Sequence, residues 1–182
     1  RSCAISFWSL TRITEKKGSP MYRNDKLHLL VTSALFASSI TVVTAYMLHI
    51  PLPTGGYIHL GDALIYLAAC LLPVPCAAAA AAIGAGLTAP MWVLPTLVIK
   101  AVLVLFFTNR SERLLCRRNC AAVVLAGLFS PAAYALAGCA MAGTMTAFVP
   151  QFLGTLAQGV GSGALFLAIA PALDGVKLKA RV

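Results

Sequence analysis

Charged side chains are the scarcest feature of this chain. Only 10% of its 182 residues are charged, and five of them are acidic, whereas a soluble domain carries about a quarter charged residues. With 60% of the residues hydrophobic, that scarcity argues against a water-soluble fold. The apolar runs also lack the period-two alternation of a membrane β-barrel strand. They are long and rich in Ala, Leu, Val and Gly, so the spans are expected to be helices, which satisfy their own backbone hydrogen bonds inside a bilayer.

Catalytic signatures are missing as well. There is no HExxH pair, nucleophile elbow, CxxC or paired carboxylate set, so no enzymatic activity is expected. The run Gly159-Val160-Gly161-Ser162-Gly163 has no P-loop lysine after it and no strand before it. Any ATP-driven step would therefore need partner subunits. The six cysteines are not framed as a disulfide scaffold: Cys70, Cys76, Cys120 and Cys139 lie in apolar surroundings and read as small packing residues. Cys116 and Cys120 stand four apart with no His or further Cys beside them, which is a poor metal set. No metal and no cofactor is expected.

The basic residues are plentiful enough to give a net charge of +9, but they are clustered. Arg1, Arg12, Lys16, Lys17, Arg23 and Lys26 precede the first apolar run, Arg110, Arg113, Arg117 and Arg118 sit together in mid-chain, and Lys177, Lys179 and Arg181 come last. Clusters beside apolar segments set membrane topology by the positive-inside rule and do not suggest a nucleic-acid partner. They put all three clusters in the cytoplasm, at a cell membrane, with both termini inside. Spans are expected over Leu27–His49, Asn119–Ala140 and Gln151–Leu173. Three short ones should fit between Ala63 and Thr108, broken at Pro73-Val74-Pro75 and near Pro90. The expected fold is thus all-α, a six-transmembrane-helix bundle forming one domain over 21–182. Residues 1–20 read as a disordered or extraneous tail before a natural start at Met21.

Two ionisable residues fall at membrane depth, Asp62 and Lys100, and such residues mark function by default. Lys100 contacts a ligand, snorkels along its stem toward water, or pairs with Asp62 to fix the bundle. Asp62 either caps the helix it opens or belongs to the same site. Gly55, Gly56, Tyr57 and His59 gather beside it on the extracytoplasmic side, where a lid over a small-molecule pocket belongs. Trp92, Tyr134, Gln151 and Gln158 either add aromatic surface and hydrogen-bonding groups to it from other helices or serve singly as interface anchors and packing residues. Small residues at Ala34 and Ser38, at Ser33 and Ala37, and at Gly159 and Gly163 permit close helix packing.

Several of these segments together resemble the substrate-binding S components of energy-coupling factor (ECF) vitamin transporters, in their riboflavin-type or uncharacterised branch. The likeness is carried by Gly55-Gly56-Tyr57-Ile58-His59-Leu60-Gly61-Asp62-Ala63, by Ile83-Gly84-Ala85-Gly86, by Val98-Ile99-Lys100 and by Gln158 with its glycines. It implies an S-component-like six-helix fold and a vitamin-like ligand held by residues such as Tyr57, His59, Asp62, Trp92, Lys100, Tyr134 and Gln158. It also implies docking on a transmembrane coupling subunit driven by two ATPases. In that family a small-residue motif on the first helix meets the coupling subunit, here Ala34 and Ser38 or Ser33 and Ala37. The chain departs from relatives at Thr88-Ala89-Pro90-Met91, where they often carry an acidic residue and a longer turn. The rival readings are a stand-alone membrane enzyme or accessory protein built on His59, Asp62 and Lys100, and a solitary carrier. The lack of a clear internal repeat argues against a carrier of two equivalent halves.

Overall fold

A computed structural model describes residues 20–47, 50–51, 57–88 and 90–180. Residues 1–19 of the expected tail, Gly55, Gly56 and the side chain of Tyr57 lie outside what is described. Six α-helices follow one another: α1 Pro20–Tyr46, α2 Gly61–Leu71, α3 Val74–Gly86, α4 Val93–Val104, α5 Arg117–Ala142 and α6 Phe148–Gly175. Three of them contain segments long and apolar enough to cross a membrane, at Asp25–Tyr46, Arg117–Ala142 and Met145–Gly175. The other three are apolar but shorter; the 11 residues of α2 rise about 16 Å against a hydrocarbon core of about 30 Å.

The prolines cut the chain where backbone chemistry requires. Pro73 stands before α3, and Pro75 occupies its first turn, where a missing N–H leaves no bond unmade. A 3-10 turn at Pro90–Trp92 leads into α4. Gly143 ends α5 with φ 66°, a left-handed conformation that glycine adopts without strain. One departure from an all-helical reading is a short antiparallel ribbon between α1 and α2, β1 (Ile50–Pro51) and β2 (Tyr57–Ile58), in which Ile50 pairs with Ile58. Two-residue strands, one of them containing proline, leave no periodic trace in a sequence.

Within the bundle α2 is central, touching α1, α3, α4 and α6. Its Ile65, Tyr66, Ala68 and Cys70 are fully buried, with the Tyr66 ring stacked on Phe107 at 4.9 Å and edge-on to Phe166 at 6.0 Å. Glycine lets the outer helices come close. A Cβ on Gly84 of α3 would lie 2.7 Å from the Ala37 carbonyl oxygen of α1, and one on Gly163 of α6 would lie 2.8 Å from Val123 Cγ1 of α5. Gly159 meets the backbone of Gly127, so the Gly159/Gly163 pair lies on the α5–α6 seam. On α1, Ser33 and Ala37 are half-buried, whereas Ala34 and Ser38 are exposed.

The same contacts fix the direction of each helix. Asn109 Nδ2 donates to the Leu72 carbonyl at 3.0 Å, Asn119 Nδ2 contacts Cys70 Sγ at 3.2 Å, and Asp174 accepts from the Leu114 and Leu115 amides at 2.7 and 3.1 Å. The end of α2, the loop 105–116, the start of α5 and the end of α6 therefore share one end of the molecule. Asp25 and His28 of α1 join them around a cavity with Leu71, Leu72, Pro73 and Asn109. Arg110, Arg113, Arg117, Arg118, Lys177 and Lys179 all belong to this end. At the opposite end Gly61 abuts Thr44 Oγ1, and Gly138 lies against Trp92 and Gln151.

Candidate functional site

The site is built where α2, α4, α5 and α6 converge near the end opposite the basic clusters. Lys100 is 1% and Asp62 0% exposed. Lys100 Nζ donates to Asp62 Oδ1 at 2.7 Å and to Oδ2 at 2.9 Å, and Gln158 Nε2 donates to Oδ2 at 3.0 Å. An ionised carboxylate only accepts, so the Gln158 amide must turn its NH2 to Asp62, leaving its Oε1 as an acceptor for another group. A lone buried charge would be very costly; paired and hydrogen-bonded, the two charges are tolerated.

Aromatic walls stand beside the pair. Lys100 Nζ lies 5.1 Å from the Tyr134 ring centroid, close enough for a cation–π attraction. Tyr134 donates its hydroxyl to Thr96 Oγ1 at 3.1 Å, and the Trp92 ring is 5.9 Å away. Gly138, one turn beyond Tyr134, leaves room for Trp92 Cη2 and Gln151, which would lie 3.3 and 3.4 Å from a Cβ there. Gln151 is buried on α6 with Thr155 at 3.5 Å. His59 is buried where the chain enters α2, and its imidazole interacts electrostatically with Asp62.

The structure brings His59, Asp62, Trp92, Lys100, Tyr134 and Gln158 into one neighbourhood, and of the predicted set only the Tyr57 side chain lies outside the described residues. The capping role considered for Asp62 is corrected. Leu60 precedes the helix as its N-cap and makes no side-chain bond. The Gly61 amide is instead bonded by His59 Nδ1 at 3.1 Å, which frees Asp62 to pair with Lys100.

Cys120 is likewise exposed, not packed in apolar surroundings, because it faces outward on α5. Cys116 caps α5, its Sγ accepting from the Asn119 amide at 3.4 Å. Among the described residues no group of three or more His, Cys, Asp or Glu is placed to hold a metal ion.

Sequence reasoning missed a second polar layer. The hydroxyls of Tyr66, Ser130 and Ser162 are buried without a hydrogen-bond partner. Each stands four residues from a site residue, Asp62, Tyr134 and Gln158 respectively, on the side toward the basic end. That i, i+4 spacing was the available signal.

A buried, charge-paired and aromatic-lined cluster inside a bundle of apolar helices, three of them long enough to cross a membrane, is the architecture of a membrane protein with a polar site in its interior. The match to known families narrows this. Over residues 24–174 the chain matches the ECF-type riboflavin transporter S component family. The chain belongs to that family, and it is a substrate-specific membrane subunit of an ECF transporter. Such subunits are transporter components and not a class of enzyme. No curated protein matches the chain.

Proposed function

We propose that the Asp62–Lys100–Gln158 network and the Trp92–Tyr134 wall hold the cargo, a vitamin or vitamin-like ring compound, with riboflavin the first candidate from the family's name. The observation that carries this reading is the buried pair beside exchangeable donors and acceptors at membrane depth. Two Lys100 N–H groups point at Asp62 and Tyr134 also hydrogen-bonds the ammonium, so a ligand oxygen would compete with the Tyr134 hydroxyl for it. Gln158 Oε1 offers an acceptor for a ring N–H, and the aromatic rings offer stacking surface. Tyr57 and His59, on the segment leading into α2, complete the entrance. In this reading all six helices cross the membrane, the termini are cytoplasmic, and the exposed Ala34 and Ser38 meet a transmembrane coupling subunit served by two ATPases. Ser33 and Ala37 then serve packing against α3.

The first test is mass spectrometry of small molecules retained by detergent-purified protein, followed by titration with riboflavin, in wild type and Lys100→Ala. Retention of a vitamin-like compound that the variant loses by tenfold or more in affinity supports the assignment. Equal binding by both proteins removes Lys100 from the site. Copurification then separates the rivals: an S component brings down ATPase subunits, which a stand-alone enzyme or solitary carrier does not. Leu substitutions at Ala34 and Ser38 are expected to abolish that copurification while leaving ligand retention unchanged.

A further inference from the structure

The basic end carries a second cavity, of about 650 Å3, lined by Arg110, Ser111, Glu112, Arg113, Asp174, Lys177 and Lys179. Four cations face two carboxylates there. Asp174 is already spent on the Leu114 and Leu115 amides, and none of the four cations forms an ion pair among the described residues. Lys179 is the most telling of them. Its Nζ is shielded from solvent and has no hydrogen-bond partner. Its pKa lies below the ordinary lysine value because burial penalises the ammonium, an effect that Cys70, Cys116 and Asp174 only partly oppose. An ammonium kept from water beside uncommitted guanidinium groups is a place that a bound anion would stabilise.

The neighbourhood says which source of anion fits. Asp174 falls on the same stripe of α6 as Phe166 and Ala170, at helical spacings of four, and Lys177 follows just past the end of that helix. Phe166 and Ala170 line an apolar groove of about 160 Å3 with Val43, Met47, Leu64 and Leu173. The stripe thus runs from an apolar channel on the flank of a membrane helix into a cationic hollow where that helix ends. We propose that this cavity binds the phosphate of an anionic membrane phospholipid, one of whose acyl chains lies in the groove between α1 and α6 over α2. Arginine forks grip the phosphate oxygens in pairs, and the lysines add charge at the headgroup level. The phosphate cavity is separate from the cargo site, although the far end of the groove passes Leu60 and Ala63 beside it.

The test is native mass spectrometry of the detergent-purified full chain with phosphatidylglycerol and phosphatidylcholine of identical acyl chains, with inorganic phosphate and glycerol phosphate as competitors. Wild type should retain phosphatidylglycerol at least tenfold better than phosphatidylcholine. Lys177→Gln with Lys179→Gln should erase most of that preference, whereas Glu112→Gln, which removes a repelling carboxylate, should raise it severalfold. A cooperative thermal transition in detergent at the wild-type temperature serves as the folding control for each variant. Equal retention of both lipids by wild type, or a preference unmoved by all these substitutions, overturns the proposal. Displacement of the lipid by equimolar glycerol phosphate also overturns it, assigning the cavity to a soluble phosphate compound instead.

Discussion

At the residue scale the Lys100–Asp62 pair invites a separation of stability from binding. Removing one member strands the other charge in the interior, so Lys100→Met is expected to destabilise the protein by about 3–5 kcal/mol. Asp62→Leu combined with Lys100→Met removes both charges and should recover most of that loss, as read by denaturant unfolding in detergent. Ligand binding should stay lost in the double variant. If binding returns together with stability, the pair is only a strut. Both residues were legible in the sequence because ionisable groups are so scarce between the basic clusters. Their partnership was legible only as one of three alternatives. Local sequence does not reveal that a lysine 38 positions away reaches the carboxylate, nor that His59 takes over the amide at the helix start. The hydroxyls of Tyr66, Ser130 and Ser162 escaped notice because uncharged groups carry a smaller penalty for burial and so attract less attention.

At the scale of elements, glycine decides which helices touch. Gly84→Ala places a methyl group against the Ala37 carbonyl oxygen and Ile40 Cβ, at 2.7 and 2.9 Å, and should cost about 1–3 kcal/mol as α1 and α3 are forced apart. Gly127→Ala meets nothing within 4 Å and should be neutral, or stabilising by up to about 1 kcal/mol through helix propensity. Thermal unfolding of the two variants side by side checks this, and equal effects would sink the account of the α1–α3 seam. The six helices were readable because proline and long apolar runs speak through local chemistry: α5 was expected from Asn119 and begins at Arg117, α6 was expected from Gln151 and begins at Phe148. The ribbon before α2 was not readable, since its pairing joins residues across a loop with no alternating pattern.

At the scale of the whole molecule, the charge distribution makes a topological prediction. In a background with the native cysteines replaced by serine, Thr144→Cys should react with a membrane-impermeant maleimide on intact cells, and Glu112→Cys only after permeabilisation. The reverse pattern would invert the assigned orientation, and labelling of both from outside would break the six-span arrangement. This asymmetry was fully visible in the sequence, because basic clusters act collectively and need no knowledge of contacts. What the folded chain adds is that loop 105–116 and the end of α6 are fastened together by one carboxylate, Asp174.

That fastening has an electrical side. Arg110, Arg113, Lys177 and Lys179 are gathered into a single rigid pole of the molecule, and a membrane that is negative inside holds such a pole with about 2.3 kcal/mol per net charge for every 100 mV. In the proposed orientation the energised membrane acts as a keel, resisting any motion that would drag that pole away from the inner face. Dissipating the potential should then loosen that hold without touching the ligand site.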